Sequence, residues 1–137
     1  MNAGRGPARD CANAEVIRRL LESLRLQDHE TTATMLHPQV EARGRKGWFS
    51  GVDQVVDWAR PSADGHLVSR LEVDEVREVG DRHVAVAARR QWRWRESDEL
   101  ADEAEFGVLF ELRDGRVYRW RQDFETIVDA IDAVEAT

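Results

Sequence analysis

Between Ala104 and Glu135 the chain reads as strand, tight turn, strand and helix without a break, and no other stretch restricts the fold as much. Phe106, Val108, Phe110 and Leu112 alternate with Gly107, Leu109, Glu111 and Arg113, the period of two that marks a strand. Asp114-Gly115 follows as a hairpin turn, because glycine and, less readily, aspartate accept the positive φ of tight turns. Val117 to Phe124 returns as the partner strand, and Ile127, Val128, Ile131 and Val134 then recur at helical spacing. A chain ending this way must build a sheet and lay a helix against it.

Upstream, the order of elements narrows the class. Met1 to Ala12 has few large apolar residues and reads as a flexible N-terminal tail, leaving residues 13–137 as one domain. Asn13 is placed to cap a first helix whose apolar stripe is Val16, Ile17, Leu20, Leu21 and Leu24. Asp28 caps a shorter second helix through Leu36, stopped by His37-Pro38. Val40 to Arg43 is a short strand, and Gly44 to Gly51 a loop carrying Trp48 and Phe49. Val52, Val55, Val56 and Ala59 mark a third helix ended by Pro61. Leu67, Ser69, Leu71 and Val73 share one phase of the next strand, and the slip to Val76 predicts a bulge near Asp74-Glu75. Gly80-Asp81 turns the chain into a strand over Val84 to Arg95. The order ααβαββββα, with helices early and strands late, predicts an α+β fold and excludes a doubly wound parallel sheet.

Composition excludes several roles. The 137 residues carry a net charge of −7, which argues against general affinity for nucleic acid or an anionic membrane. Cys11 is the only cysteine, so no internal disulfide is possible and an oxidising compartment is not required. No apolar run reaches transmembrane or signal-peptide length, and the expected location is cytoplasmic. His29, His37, His66 and His83 show no metal-ligand spacing. No phosphate loop, nucleophile triad or Cys-x-x-Cys appears either, so neither a cofactor nor a metal is expected. Arg89, Arg90, Arg93 and Arg95 interleave with Trp92 and Trp94, but the acidic run from Asp98 to Glu105 lies across the turn. Cross-strand ion pairs account for that pattern better than a nucleic-acid surface does.

The segments "MLHPQVEARG", "GVDQVVDW", "VDEVREVGDRHVAV" and "FELRDGRVYRWRQDF", in this order and spacing, resemble the nuclear transport factor 2-like superfamily and its SnoaL-like group, over roughly residues 13 to 135. The resemblance implies a cone: a strongly curved mixed β-sheet wrapped around the N-terminal helices, with a pocket between helices and concave face. It also implies frequent homodimers through the sheet, here with Leu109, Trp92 and Trp94 as the exposed apolar contribution. Members include isomerases, cyclases, epoxide hydrolases and proteins of no known activity, so chemistry must be argued from residues.

On that template Trp58, Phe106, Val108, Tyr118, Trp120 and Phe124 line an apolar pocket, and Arg89, Gln91 and Gln122 supply its polar groups. Gln91 and Gln122 stand where the resembling epoxide hydrolases carry aspartates. An amide holds water but takes up no proton in the working pH range, which disfavours epoxide hydrolysis. Asp123 and Glu41 are the candidate catalytic acids of an isomerase or cyclase. The expectation is therefore a domain that binds a small hydrophobic ligand. The alternative is a cofactor-independent isomerase, cyclase or hydrolase acting on a similar substrate.

Overall fold

The structure, a computed structural model, describes residues 5–44, 46–60 and 65–135, with backbone alone for 5–12. Helices α1 (Arg5–Arg25) and α2 (His29–Thr34) open the chain, followed by β1 (Leu36–Gly44), β2 (Gly47–Ser50) and α3 (Val52–Ala59). Strands β3 (Leu67–Val79), β4 (His83–Trp94), β5 (Leu100–Arg113) and β6 (Arg116–Phe124) then precede α4 (Ile127–Glu135). The six strands form one open mixed sheet in the order β2-β1-β6-β5-β4-β3, in which only β1 and β6 run parallel. The fold is α+β, an open curved sheet wrapped around helices on its concave side.

The core follows from the alternation. Val84, Val86 and Ala88 of β4, with Val108, Phe110 and Leu112 of β5, face inward against Ile17 and Leu20 of α1 and Val55 of α3. The intervening positions face outward, and there α4 covers part of the sheet: Ala85 and Leu109 are buried under Ala130, Ile127 and Ile131. The middle of β5 is thus covered on both faces. Gly107 makes this possible, since a Cβ there would come within 2.1 Å of the Thr126 carbonyl oxygen at the start of α4.

Three local expectations are revised. The first helix begins at Arg5 rather than at an Asn13 cap, so the expected tail is helical in backbone from that residue; Met1–Gly4 lie outside the described residues. Asn13 Nδ2 donates to the Asp81 carbonyl, and Glu78 accepts from the Ala14 amide at 2.6 Å. The second helix stops at Thr34, and β1 begins at Leu36, where the chain bonds to β6. The expected loop over Gly44 to Gly51 holds strand β2, paired antiparallel with β1. Pro61, expected to end the third helix, lies outside the described residues.

Asp28 caps α2 as expected, accepting from the Thr31 amide and hydroxyl, and those bonds hold its carboxyl below the usual range. The predicted bulge is present between Val73 and Glu75, which keeps Val76 on the inward side opposite Val86. Asp114 and Gly115 both hold positive φ, 55° and 74°, and close the β5–β6 hairpin.

Candidate functional site

The concave face leaves a cleft of about 1470 Å³ between α1, the end of α3 and strands β3 to β6. Its aromatic wall draws on α3 and on strands β4, β5 and β6. Trp120 of β6, 2 % exposed, meets Trp58 of α3 edge-on at 5.2 Å between ring centroids and Phe110 of β5 at the same distance. Trp58 in turn stacks on Phe49 of β2 at 5.8 Å. Gly44 lets the indole in: a Cβ at that position would stand 2.7 Å from Trp58 Nε1. Phe106 and Trp92 carry the wall toward β3, where Leu71 and Val76 continue it, and the Arg90 guanidinium lies 5.8 Å from the Phe106 centroid.

Charged and polar side chains, among them Arg18, Arg60, Arg90 and Glu105, share the lining with these apolar residues. Gln122 accepts from the Trp120 indole N–H at 3.2 Å, leaving the carboxamide N–H groups as its donors. Ser69, on the inward phase of β3 directly opposite Trp92, is 7 % exposed. Its hydroxyl has no hydrogen-bond partner among the described residues. On α1, Glu22 and Arg25 at the rim bond to each other at 3.0 Å.

Several residues expected in the pocket stand elsewhere, for two physical reasons. The first is strand phase. Because Ala88 faces inward, Arg89 and Gln91 face outward, and Arg90 and Trp92 take the concave side. Arg89 there bonds to both Asp74 oxygens and to Glu103, and these carboxylates raise its pKa. Gln91 donates to Glu103 at 2.6 Å and accepts from Arg93.

The second reason is bulging of β6. A shift between Glu111 and Leu112 pairs Val117 with Leu112 on the inside. Tyr118 is turned out, with the Arg113 guanidinium 3.8 Å from its ring centroid and the His37 ring edge-on at 5.3 Å. A second shift sets Phe124 opposite Gly107 and against the outer cluster under α4, while it also borders the cleft. Val108 is inward but belongs to the close-packed core rather than the cleft lining.

The candidate acids are also engaged away from the cleft interior. Asp123 reaches the rim, but its Oδ2 is 3.4 Å from both Arg43 Nε and Arg121 Nη2. Glu41 pairs with Arg119 at 3.6 Å, on the side of β1 opposite the buried Ala42. Trp58, Phe106, Trp120 and Gln122 all line the cleft. Ser69, Arg90 and Trp92 were missed as lining; a lone serine in the apolar phase Leu67-Ser69-Leu71-Val73 was the available signal.

The apolar residues expected to drive dimerisation are likewise not on the outer surface. Leu109 lies beneath α4, Trp92 faces the cleft, and Trp94 is the exposed one, at a strand end. Among the described residues, no group of His, Cys, Asp or Glu is arranged to hold a metal ion, and no helix is long and apolar enough to cross a membrane.

No family model and no curated protein sequence matches the chain. Solved structures do. A candidate polyketide cyclase from Xanthomonas campestris pv. campestris superposes with a TM-score of 0.69 at 15% identity, covering 92% of this chain and 98% of its own. A nuclear transport factor 2-like protein of unknown function from Burkholderia pseudomallei gives 0.65 at 20% identity, covering 88% and 95%. An LEH-like epoxide hydrolase from M. tuberculosis gives 0.62 at 15% identity, covering 92% and 96%. At such identities the likeness speaks to architecture and leaves chemistry open. The chain has the nuclear transport factor 2-like fold.

Proposed function

We propose that the concave cleft binds a small, mostly apolar organic molecule, in a protein working in the cytoplasm. The observation that carries this reading is the aromatic wall of Trp58, Trp92, Phe106 and Trp120, an apolar floor to a cleft whose other lining is charged and polar. A concave aromatic surface with placed donors and acceptors is the usual form of a small-molecule site. At about 1470 Å³ the cleft exceeds the roughly 300–1,000 Å³ typical of such sites, which favours a multi-ring or extended guest over a small one.

The residues weigh against the enzyme alternative with Asp123 or Glu41 as base, since both carboxylates are held by arginines. Epoxide hydrolysis is further disfavoured, because Gln122 is an amide and Gln91 faces outward. Homodimerisation through the outer face loses its expected apolar drive. Native mass spectrometry of the purified protein tests the binding reading, combined with tryptophan fluorescence titrations against multi-ring apolar compounds. A co-purified adduct released on denaturation, or saturable quenching, is expected. A clean apo mass together with no response to any compound would sink it.

A further inference from the structure

We infer that Ser69 is the specificity-determining contact of the cleft, donating its hydroxyl to an uncharged oxygen on a ring compound that lies against Trp92. This rests on the binding reading above.

The argument begins with the cost of the residue. A buried hydroxyl without a partner is unfavourable, and alanine at the same place would remove that cost. The inward phase of β3 is otherwise apolar, with Leu71 and Val76 packed against the core. Serine stands there 7 % exposed, its oxygen unpartnered among the described residues. Glu22 and Arg25 of α1, which line the same cleft, are bonded to each other. Ser69 also lines the cleft and sits directly across from Trp92, so a ring on that indole carries its substituents toward the hydroxyl. A serine hydroxyl serves a carbonyl, ether or hydroxyl oxygen equally well. A fully charged group brought against a hydroxyl only 7 % exposed would give up hydration at a much higher cost, which makes the neutral oxygen the fitting class.

The test uses naphthalene, 1-naphthol and 1-naphthoate as probes, with dissociation constants from ligand-observed NMR. The wild type should prefer 1-naphthol to naphthalene by about 2- to 10-fold, the range of one net hydrogen bond. Ser69→Ala should bind the two alike, and Ser69→Thr, which keeps the hydroxyl, should restore the preference. Equal affinities in the wild type, or a preference that survives Ser69→Ala, would overturn the assignment while leaving the cleft as a binding site. Tighter binding of 1-naphthoate than of 1-naphthol would overturn the neutral-oxygen class. Failure of every probe to bind would remove the binding reading and this inference with it. A ligand-free control stands apart: Ser69→Ala should melt at the same temperature or higher. A fall of more than about 4 °C would assign the hydroxyl a structural bond and overturn the inference.

Discussion

The two faces of the sheet treat polar side chains in opposite ways. On the convex face of β3, β4 and β5, Asp74, Arg89, Glu103, Gln91 and Arg93 form a continuous relay. On the concave face Ser69 stands without a partner among the described residues, and Gln122 accepts from an indole that also packs the core. Alternation along a strand permits this division, since neighbouring residues share no environment. The lesson is about where to look for recognition. The charge of the convex relay is self-neutralising, whereas the Ser69 hydroxyl on the concave side has no partner among the described residues and is open to a guest.

The comparison breaks first at Trp120. If the concave face is a packed aromatic wall, Trp120→Ala should cost about 3–5 kcal/mol, as for other buried aromatics. Urea denaturation checks it, and a loss below about 1 kcal/mol would mean the wall is not structural. A smaller effect is expected where α4 crosses the convex face. Gly107→Ala places a methyl against the Thr126 carbonyl, so the helix must shift. We expect a loss of about 1–3 kcal/mol, the usual cost of overpacking, together with increased protease sensitivity near residue 126. Unchanged stability would show that α4 is not held tightly there.

Much of this division was legible in the sequence, and the failures have a common origin. The helices, the Asp114-Gly115 turn and the bulge near Asp74-Glu75 all carry local signals. Side-chain facing was instead extrapolated along strands from a fixed phase. On β6 two register shifts sit between Val117 and Phe124, each adding a residue that the period of two does not count. Tyr118 and Phe124 consequently point away from where unbroken alternation puts them. On β4 the phase itself was the problem: Arg89-Arg90 and the Arg–Trp alternation offer no apolar contrast to anchor it, and only the pairing with β5 fixes it. The covering of the convex face could have been read from Val108-Leu109-Phe110, since three successive apolar residues imply burial on both sides.

Smaller effects sharpen the contrast. Arg89→Ala removes the centre of the convex relay, yet its partners remain in water and salt screens them. The melting temperature should move by no more than about 2 °C, with an even smaller shift in high salt. A large drop would mean the relay is a structural element in its own right. The smallest effect concerns His83, 4.0 Å from Glu111 on the convex phase of β4. Burial lowers its pKa from the ordinary value near 6.5; Glu111 opposes this and Arg82 adds to it. The unfolded chain therefore takes up the proton first. The contribution of neutral His83 is present above pH 6.5 and declines as the pH falls through that value toward the folded-state pKa. Melts between pH 7.5 and 5.5 should show a decline that His83→Gln flattens; an identical pH profile in the variant would rule it out.

The double covering of β5 has a consequence in time as well as in space. Val108, Leu109 and Phe110 lie between the helices of the cone on one side and α4 on the other, hydrogen-bonded within a sheet whose edges are β2 and β3. Fraying at either edge, or detachment of α4 alone, leaves their amides enclosed. Solvent deuterium reaches them only when both layers have separated, so their exchange follows the global unfolding equilibrium while the edges exchange through local openings. The slowest-exchanging amides of this chain thus lie behind the cleft wall, and a guest's arrival would be registered there as a uniform further slowing set by its concentration relative to its dissociation constant.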